Sequence, residues 1–561
     1  MKKYLYLPLL IISCFSGIES YAQSLPVDMQ ILNEYYRRAQ LLGEIDPTIS
    51  FTNRPLFPLL SIGNNIFDPD STLKFERKSN FNGYFEFWKK KGIIQLLPIS
   101  LLNQFNSHHP EGINDGSMIP AKGFQTKFSV GIFFKYGPLN IQLRPEFVYA
   151  QNKEFDGFPK NYTTTLGIEF PDSPYKNRID FPERFGNSEF SNASWGQSSI
   201  RLIFGSISFG LSNENLWWGP GYRNSLLMTN SSPGFMHLTL NTVRPIKTFI
   251  GSFEGQIIAG KLEESGYTKN LEDDWRYINA IVFNYQPKWI PSLFLGVTRS
   301  FIVYRGDMGT SLGDYLPVFI PLSKSTGGTN QEVNNKRRNQ LISVFMRWLF
   351  KKSNGEIYIE YGREDHSWDT RDFILEPSHS SAYILGLRKL FSLNENNKTY
   401  IQLILEITNL AGNKTTINRE VPSTIASITW YQHNQVRHGY THFGQILGAG
   451  IGPGSNLQTL EVSWVRRIKQ IGFRLERYVH NSDFWYSYIK DFRSNWVDIS
   501  YTAFANWDYK NFLVSLKLKY VKSRNYQWLY EPQIDNENPK YWMPGDNTLN
   551  FHGQIGITYR F

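Results

Sequence analysis

The sequence predicts an all-β transmembrane fold: an outer-membrane antiparallel β-barrel of about 16 to 20 strands, with a small N-terminal helical segment at its periplasmic end. Three observations lead there. After the first 22 residues no stretch has the roughly 20 consecutive apolar residues that a membrane-spanning helix needs, yet 41 Phe, 32 Tyr and 15 Trp make the chain 16% aromatic. Much of the chain alternates apolar and polar residues with period two, as strands between lipid and a lumen must. The last such strand ends with Tyr559 and a terminal Phe561, which resembles the signal read by the barrel-assembly machinery of the outer membrane.

The opening residues, MKKYLYLPLLIISCFSGIESYAQ, set Lys2 and Lys3 before a short apolar run and a small-residue site at Ser20-Tyr21-Ala22. Residues 1–22 therefore read as a cleaved secretory signal. Ile11-Ile12-Ser13-Cys14 also fits the pattern lipidated at cysteine, so cleavage after Ala22 and lipidation at Cys14 stand as alternatives. Cleavage after Ala22 removes the chain's single cysteine, and with it disulfides, zinc–cysteine centres and cysteine catalysis. It leaves 57 Lys+Arg against 48 Asp+Glu. For an exported bacterial barrel that excess suits an acidic polysaccharide or lipopolysaccharide, not nucleic acid.

Residues 23–75 read as a helical and irregular plug segment, and residues 76–561 as the barrel. Leu32, Tyr35, Ala39 and Leu42 share one face at helical spacing, Asp28 lies near the start, Arg37 and Arg38 near the end, and Gly43 terminates. The spacing predicts a helix over about Asp28 to Leu42 at the periplasmic mouth, since Pro47, Pro55 and Pro58 forbid its continuation. Strands follow. Phe124, Phe128, Val130, Ile132, Phe134 and Tyr136 alternate with Gln125, Lys127, Ser129, Gly131 and Lys135, interrupted only by Phe133. Beyond the Gly137-Pro138 turn, Ile141, Leu143, Phe147 and Tyr149 face away from Gln142, Arg144 and Glu146. Near the end, Phe512, Val514, Leu516, Leu518 and Tyr520 alternate with Ser515, Lys517 and Lys519. The long polar inserts 155–195, 305–339 and 525–547 should face the exterior.

One stretch departs from alternation: LSNENLWWGPGYRNSLLMTNSSPGF, residues 211–235. Gly219-Pro220-Gly221 breaks a strand immediately after the pair Trp217-Trp218. Aromatic faces beside amide and guanidinium donors are what a sugar ring needs, because its C–H groups pack on a ring while its hydroxyls hydrogen-bond at the rim. This run, with Arg244 to Thr248 (RPIKT) behind it, resembles the signature of the Wzi family of capsule-assembly proteins. RHGYTHFGQILGAGIGPGSNLQTLEVSW, residues 437–464, is similar to that family's second, glycine-rich segment. The resemblance implies an outer-membrane barrel with an N-terminal helical portion, acting as a lectin that attaches surface polysaccharide. The glycan-binding candidates are Trp217, Trp218, Arg223, Asn224, Arg244, Arg437 and His438, of which Trp217, Trp218, Arg223 and Arg244 are expected in or beside the extracellular mouth.

Catalysis has little support. The sequence has no G-x-S-x-G elbow, H-E-x-x-H or P-loop, and the glycine-rich run 448–454 has no lysine for a phosphate. His438 and His442 stand four apart but flank Gly439 in a β context, against a helical metal pair. No cofactor is expected, and the barrel is expected to be a monomer. Two rivals to a non-catalytic polysaccharide binder remain: an anion-selective diffusion channel lined by Lys127, Arg144, Lys517 and Lys519, and an outer-membrane enzyme.

Overall fold

Side-chain alternation, one residue out and the next in, fixes which face of each strand meets lipid. In the strand Gly123–Tyr136, Phe124, Phe128, Ile132 and Tyr136 point outward and are exposed, while Gln125, Lys127, Ser129 and Lys135 point inward and are buried. Leu143 and Phe147 face out; Gln142, Arg144 and Glu146 face in. Phe512, Leu516, Leu518 and Tyr520 join the outer band. Phe133 breaks the pattern because its inward side meets protein: with Leu97 and Leu513 it packs on Leu32 and Tyr36 of the N-terminal segment.

The computed structural model describes residues 23–57, 65–69, 73, 83–88, 91–163, 169–170, 178–267, 275–319, 337–364, 378, 380–413, 429–489, 491–529 and 547–561. The signal segment with Cys14 and Ala22, and much of the inserts 305–339 and 525–547, lie outside them. Each strand pairs antiparallel with its neighbour, and the last, Asn547–Tyr559, pairs with Gly92–Asn106, setting Tyr559 opposite Ile99 and closing the ring. The 22 strand segments make 18 staves, within the expected range. The difference arises because three staves are interrupted and the short strand Tyr84–Phe87 folds back on Gly92–Gln95. One interruption falls at Pro145, which has no N–H for the ladder.

Turns at one end are short, as at Gly137-Pro138, Gly205-Ser206 and Lys510-Asn511, and both ends of the barrel sequence lie there. The connections at the other end are long, and by the usual asymmetry they face outward. No helix among the described residues is long and apolar enough to cross a membrane.

The lumen is filled from both ends. From the short-turn end enters helix α1, Gln30–Leu41, preceded by Leu25 and followed by a short strand, Asn53–Arg54. Leu32, Tyr35 and Ala39 are buried as their spacing predicts, and so are Arg37 and Arg38 on the other face. A helix enclosed by a polar lumen wall buries its charged face too, which amphipathic periodicity does not reveal. From the long-loop end descend the two motif stretches.

Candidate functional site

The motif loop begins where the strand Ile207–Ser212 ends at the outer rim, then turns into the lumen. There Trp217 and Trp218 form a short antiparallel ladder with the N-terminal segment, Trp218 opposite Asn53 and Trp217 opposite Arg54. Trp218 is fully buried and its Nε1 donates to Gln256 Oε1 at 3.2 Å. Gly219 N donates to Thr52 O at 2.8 Å. The Gly-Pro-Gly turn follows, its Pro220 carbonyl accepting from Arg37 Nη2 at 2.7 Å. Glycine is required at 221, where a Cβ would run into the carbonyl of Asn224.

Immediately after the turn three successive backbone N–H groups converge on one carboxylate. Tyr222 N donates to Glu406 Oε2 at 2.6 Å, Arg223 N to both oxygens at 3.0 and 3.1 Å, and Asn224 N to Oε1 at 3.1 Å. Tyr358 Oη adds a fourth donor at 2.8 Å. Glu406 projects inward from the strand Thr399–Asn409, so the wall itself grips the loop. The Arg223 side chain donates to Glu476 at 2.8 Å, and the Tyr222 hydroxyl to Glu461 at 2.9 Å.

Below this turn lies a buried ionic lattice. Glu356 receives Arg37 at 2.7 Å, Arg347 at 2.6 Å and Arg388 at 3.4 Å, and Arg388 also reaches Glu34 at 2.6 Å. Burial raises the Glu34 carboxyl, but Arg388, Arg37 and Arg38 outweigh that and hold it below its ordinary value. Such charges tolerate burial only while paired, so the lattice fixes the helix against the wall.

The second motif packs on the first. Thr229 N donates to Leu447 O at 2.8 Å, and Tyr431 Oη donates to Leu226 O at 2.7 Å. The glycine-rich run 448–454 forms a tight loop of turns and bends. His438 is fully buried, its Nδ1 2.8 Å from Tyr304 Oη and its Nε2 3.1 Å from Glu264 Oε2.

The sequence candidates therefore do not share one extracellular mouth. Trp217, Trp218, Asn224 and His438 are buried inside the barrel, because they bind the loops to the plug and the wall. Arg244 lies toward the short-turn end, its Nε donating to Ser206 Oγ at 2.8 Å. Arg437 is exposed among the outer loops. Arg244 borders a separate cavity of about 30 Å³, while Trp217 and Arg223 border a luminal cavity of about 220 Å³ that Arg54, Tyr222, Arg474 and Lys517 also line. One face of Trp217 is already covered, since the Arg54 guanidinium lies 4.6 Å from its ring centre. The indole Nε1 and the Arg54 Nε and Nη2 are buried without hydrogen-bond partners beside this cavity.

Three of the four candidate pore cations are likewise committed, while Lys517 lines the luminal cavity. Arg144 and Lys127 reach Asp28 of the plug at 3.0 and 3.7 Å, and Lys519 pairs with Glu111 and, at 3.6 Å, with Glu476. Sequence reading missed Glu406, Glu356, Arg54 and Arg388. A hint was present in the inward carboxylates and guanidiniums of the strands, too numerous for a solvated wall, but pairing them requires the register.

These features define the class: an outer-membrane β-barrel whose lumen is filled by its own N-terminal segment and by two inward loops. Its family follows from sequence comparison. The family described as capsule assembly protein Wzi matches residues 104–528, and this chain belongs to it. A solved Escherichia coli structure is described as Wzi, an outer membrane protein involved in group 1 capsule assembly and a carbohydrate-binding β-barrel. It aligns with 96% of this chain and 100% of its own, at TM-score 0.60 and 14% identity. Weaker likeness extends to OccAB4 of Acinetobacter baumannii, with TM-score 0.37, 10% identity and coverage of 82% of this chain and 96% of that one. OprD of Pseudomonas aeruginosa gives TM-score 0.37 and 8% identity over 85% and 94% of the two chains. No curated protein matches by sequence.

Proposed function

We propose that this barrel is a non-catalytic lectin that holds capsular or related surface polysaccharide at the cell's outer face. The observation that carries the reading is the filled lumen: three of the four cations that would line a pore, Lys127, Arg144 and Lys519, are paired with Asp28, Glu111 and Glu476. What remains for interaction with a ligand is the surface of the long loops and the luminal cavity beside Trp217 and Arg223. Family membership and the likeness to a carbohydrate-binding barrel support the same conclusion. The apolar outer band suits membrane lipid and lipopolysaccharide, Phe561 suits the barrel-assembly machinery, and the barrel acts as a monomer.

The motif residues divide by role in this reading. Trp217 and Arg223 border the luminal cavity and Arg437 faces the exterior, which suits them to glycan contact; Trp218, Asn224 and His438 support them from inside. Individual contacts are weak, on the order of 0.5–1.5 kcal/mol for a stacked ring and 1.5–3 kcal/mol for a charge-assisted hydrogen bond. Retention of a polymer then comes from many repeats engaging many barrels at once.

The test is a deletion strain of the source bacterium complemented with the wild-type protein. Cells lacking the protein should shed polysaccharide into the medium, and complementation should return it to the surface. Full retention without the protein overturns the reading.

A further inference from the structure

The long loops of the outer end enclose a cleft of about 170 Å³ that uses none of the seven candidate glycan-binding residues, although Ser231, Gln445, Ile446 and Gly450 of the two motif stretches help to line it. At about 30 Å³ per water this is five or six molecules' worth of space, suited to one sugar ring and not to a length of chain. Its floor is aromatic and stiff. Tyr478, His480 and Trp496 form a column with centroids 3.8 and 3.7 Å apart, and Trp528 and Tyr526 set edges against Trp496 at 5.0 and 5.1 Å. Asp498 holds the column in place, accepting from Trp496 Nε1 at 2.9 Å with its other oxygen 2.7 Å from His480 Nε2.

Two polar atoms on this lining are buried and have no hydrogen-bond partner: His109 Nε2 and Gln527 Oε1. Leaving such atoms dry and unpaired costs free energy, so an unmatched pair beside a cleft points to a ligand or water that completes them. His109 is only 4% exposed, lies 4.8 Å from the Tyr526 ring and is tied by its carbonyl to Asn550 Nδ2 at 3.1 Å. Gln527 and Trp528 both adopt left-handed backbone, φ +57° and +56°, as does Asn525 at +50°. A run of non-glycine residues in this region is strained, and such strain gathers at binding sites.

The charge of the lining narrows the ligand. Among the described residues neither Lys nor Arg lines the cleft, whereas Glu111, Glu183 and Asp498 do. Glu111 is matched by Lys519 and Asp498 by His480. A uronate or phosphate would find carboxylates here and no free cation. A neutral pyranose would find an aromatic floor for its C–H face and, around the rim, groups that can accept from or donate to its hydroxyls.

We propose that this outer cleft is a monosaccharide subsite for a neutral sugar unit of the polymer, hydrogen-bonded by His109 Nε2 and Gln527 Oε1. It rests on the polysaccharide-binding reading and narrows it. The basic excess of the whole chain bears on the polymer's overall charge, while this subsite reads an uncharged unit within it.

The experiment uses the detergent-solubilised full-length barrel on immobilised neutral hexose, N-acetylhexosamine and hexuronate oligosaccharides, with polymer extracted from the source cell surface alongside. The wild type should bind a neutral series and the extracted polymer, and not hexuronate alone. His109→Ala, and Gln527→Gly, which removes the amide where glycine tolerates the backbone, should each weaken neutral-sugar binding by about tenfold, the size of one lost buried hydrogen bond. Phe155→Ala at the rim of the cleft serves where either variant fails to show heat-modifiable folding, and it should weaken the same spots. If folded variants bind polymer and neutral sugars unchanged, or the wild type binds hexuronate only, the subsite is wrong while polysaccharide binding stands. If the wild type binds neither sugars nor extracted polymer, both fall.

Discussion

Glu406 accepts the backbone N–H of Arg223 through both of its carboxylate oxygens, at 3.0 and 3.1 Å. A wall strand thus holds the motif loop by its main chain, directly after a turn in which Gly221 has no room for a Cβ. Glu406→Gln keeps the shape but removes the charge that three amides share. Each charge-assisted bond contributes about 1.5–3 kcal/mol, so the variant should melt lower than wild type in a heat-modifiability series. An unchanged transition would mean that the loop is held elsewhere.

The two tryptophans should behave differently. Trp218 is fully buried in the main core, so Trp218→Ala should cost about 3–5 kcal/mol and impair assembly. Trp217 borders a cavity and carries Arg54 on one face, so its truncation should be milder. Comparing folded yield and retained polysaccharide for the two separates support from contact. Arg223→Ala disturbs packing less and completes the set.

Removing the plug should open the barrel. Deleting residues 24–57 takes away Asp28, Glu34 and Arg37, strips Arg144 of its carboxylate partner, and leaves Arg347 and Arg388 to share Glu356 alone. Planar-bilayer recording should show larger, anion-favouring steps than the wild type. Glu356→Gln, which leaves three guanidiniums around a neutral amide, should cost about 3–5 kcal/mol and shift conductance the same way.

Acid should loosen the second motif. Burial, with Arg276 and Lys261 nearby, pushes His442 from 6.5 down to about 3, and its Nδ1 accepts from Glu263 N at 3.0 Å. The unfolded chain takes up a proton near pH 6.5 while the folded one does not, so stability is complete above that pH. It is lost progressively as pH falls from about 6.5 toward 3. Melting temperatures between pH 7.5 and 4.5 should decline, and His442→Gln should flatten that decline. Asp483, raised by burial to about 6, opposes it in part because its neutral form is the one the fold favours.

The barrel was legible because alternation is a local property: Phe128 and Lys127 report their faces without knowledge of their partners. The helix was legible for the same reason, through Leu32, Tyr35 and Ala39. The interior was not. Trp217 and Trp218 in a glycine-rich, asparagine-rich loop look identical whether the loop projects into solvent or folds inward, and only Asn53 and Arg54, more than 160 positions earlier, decide between the two. The outer cleft was hidden for a related reason, since His109, Trp496 and Gln527 come from separate loops that share no spacing.

The ladder between Asn53–Arg54 and Trp217–Trp218 also bears on timing. The N-terminal segment leaves the ribosome first, yet its partners come much later: Trp217 is 163 positions beyond Arg54, Glu356 is 319 beyond Arg37 and Arg388 is 354 beyond Glu34. Until they arrive, Arg37 and Arg54 have only water to satisfy them. The lumen is occupied by segments approaching from opposite sides, and they meet in the middle through main-chain hydrogen bonds. A finished, empty cylinder could not easily receive them both. Closure of the last staves, Asn547–Tyr559 against Gly92–Asn106, is therefore expected to follow internal docking, making the plug a mandrel around which the wall is wound.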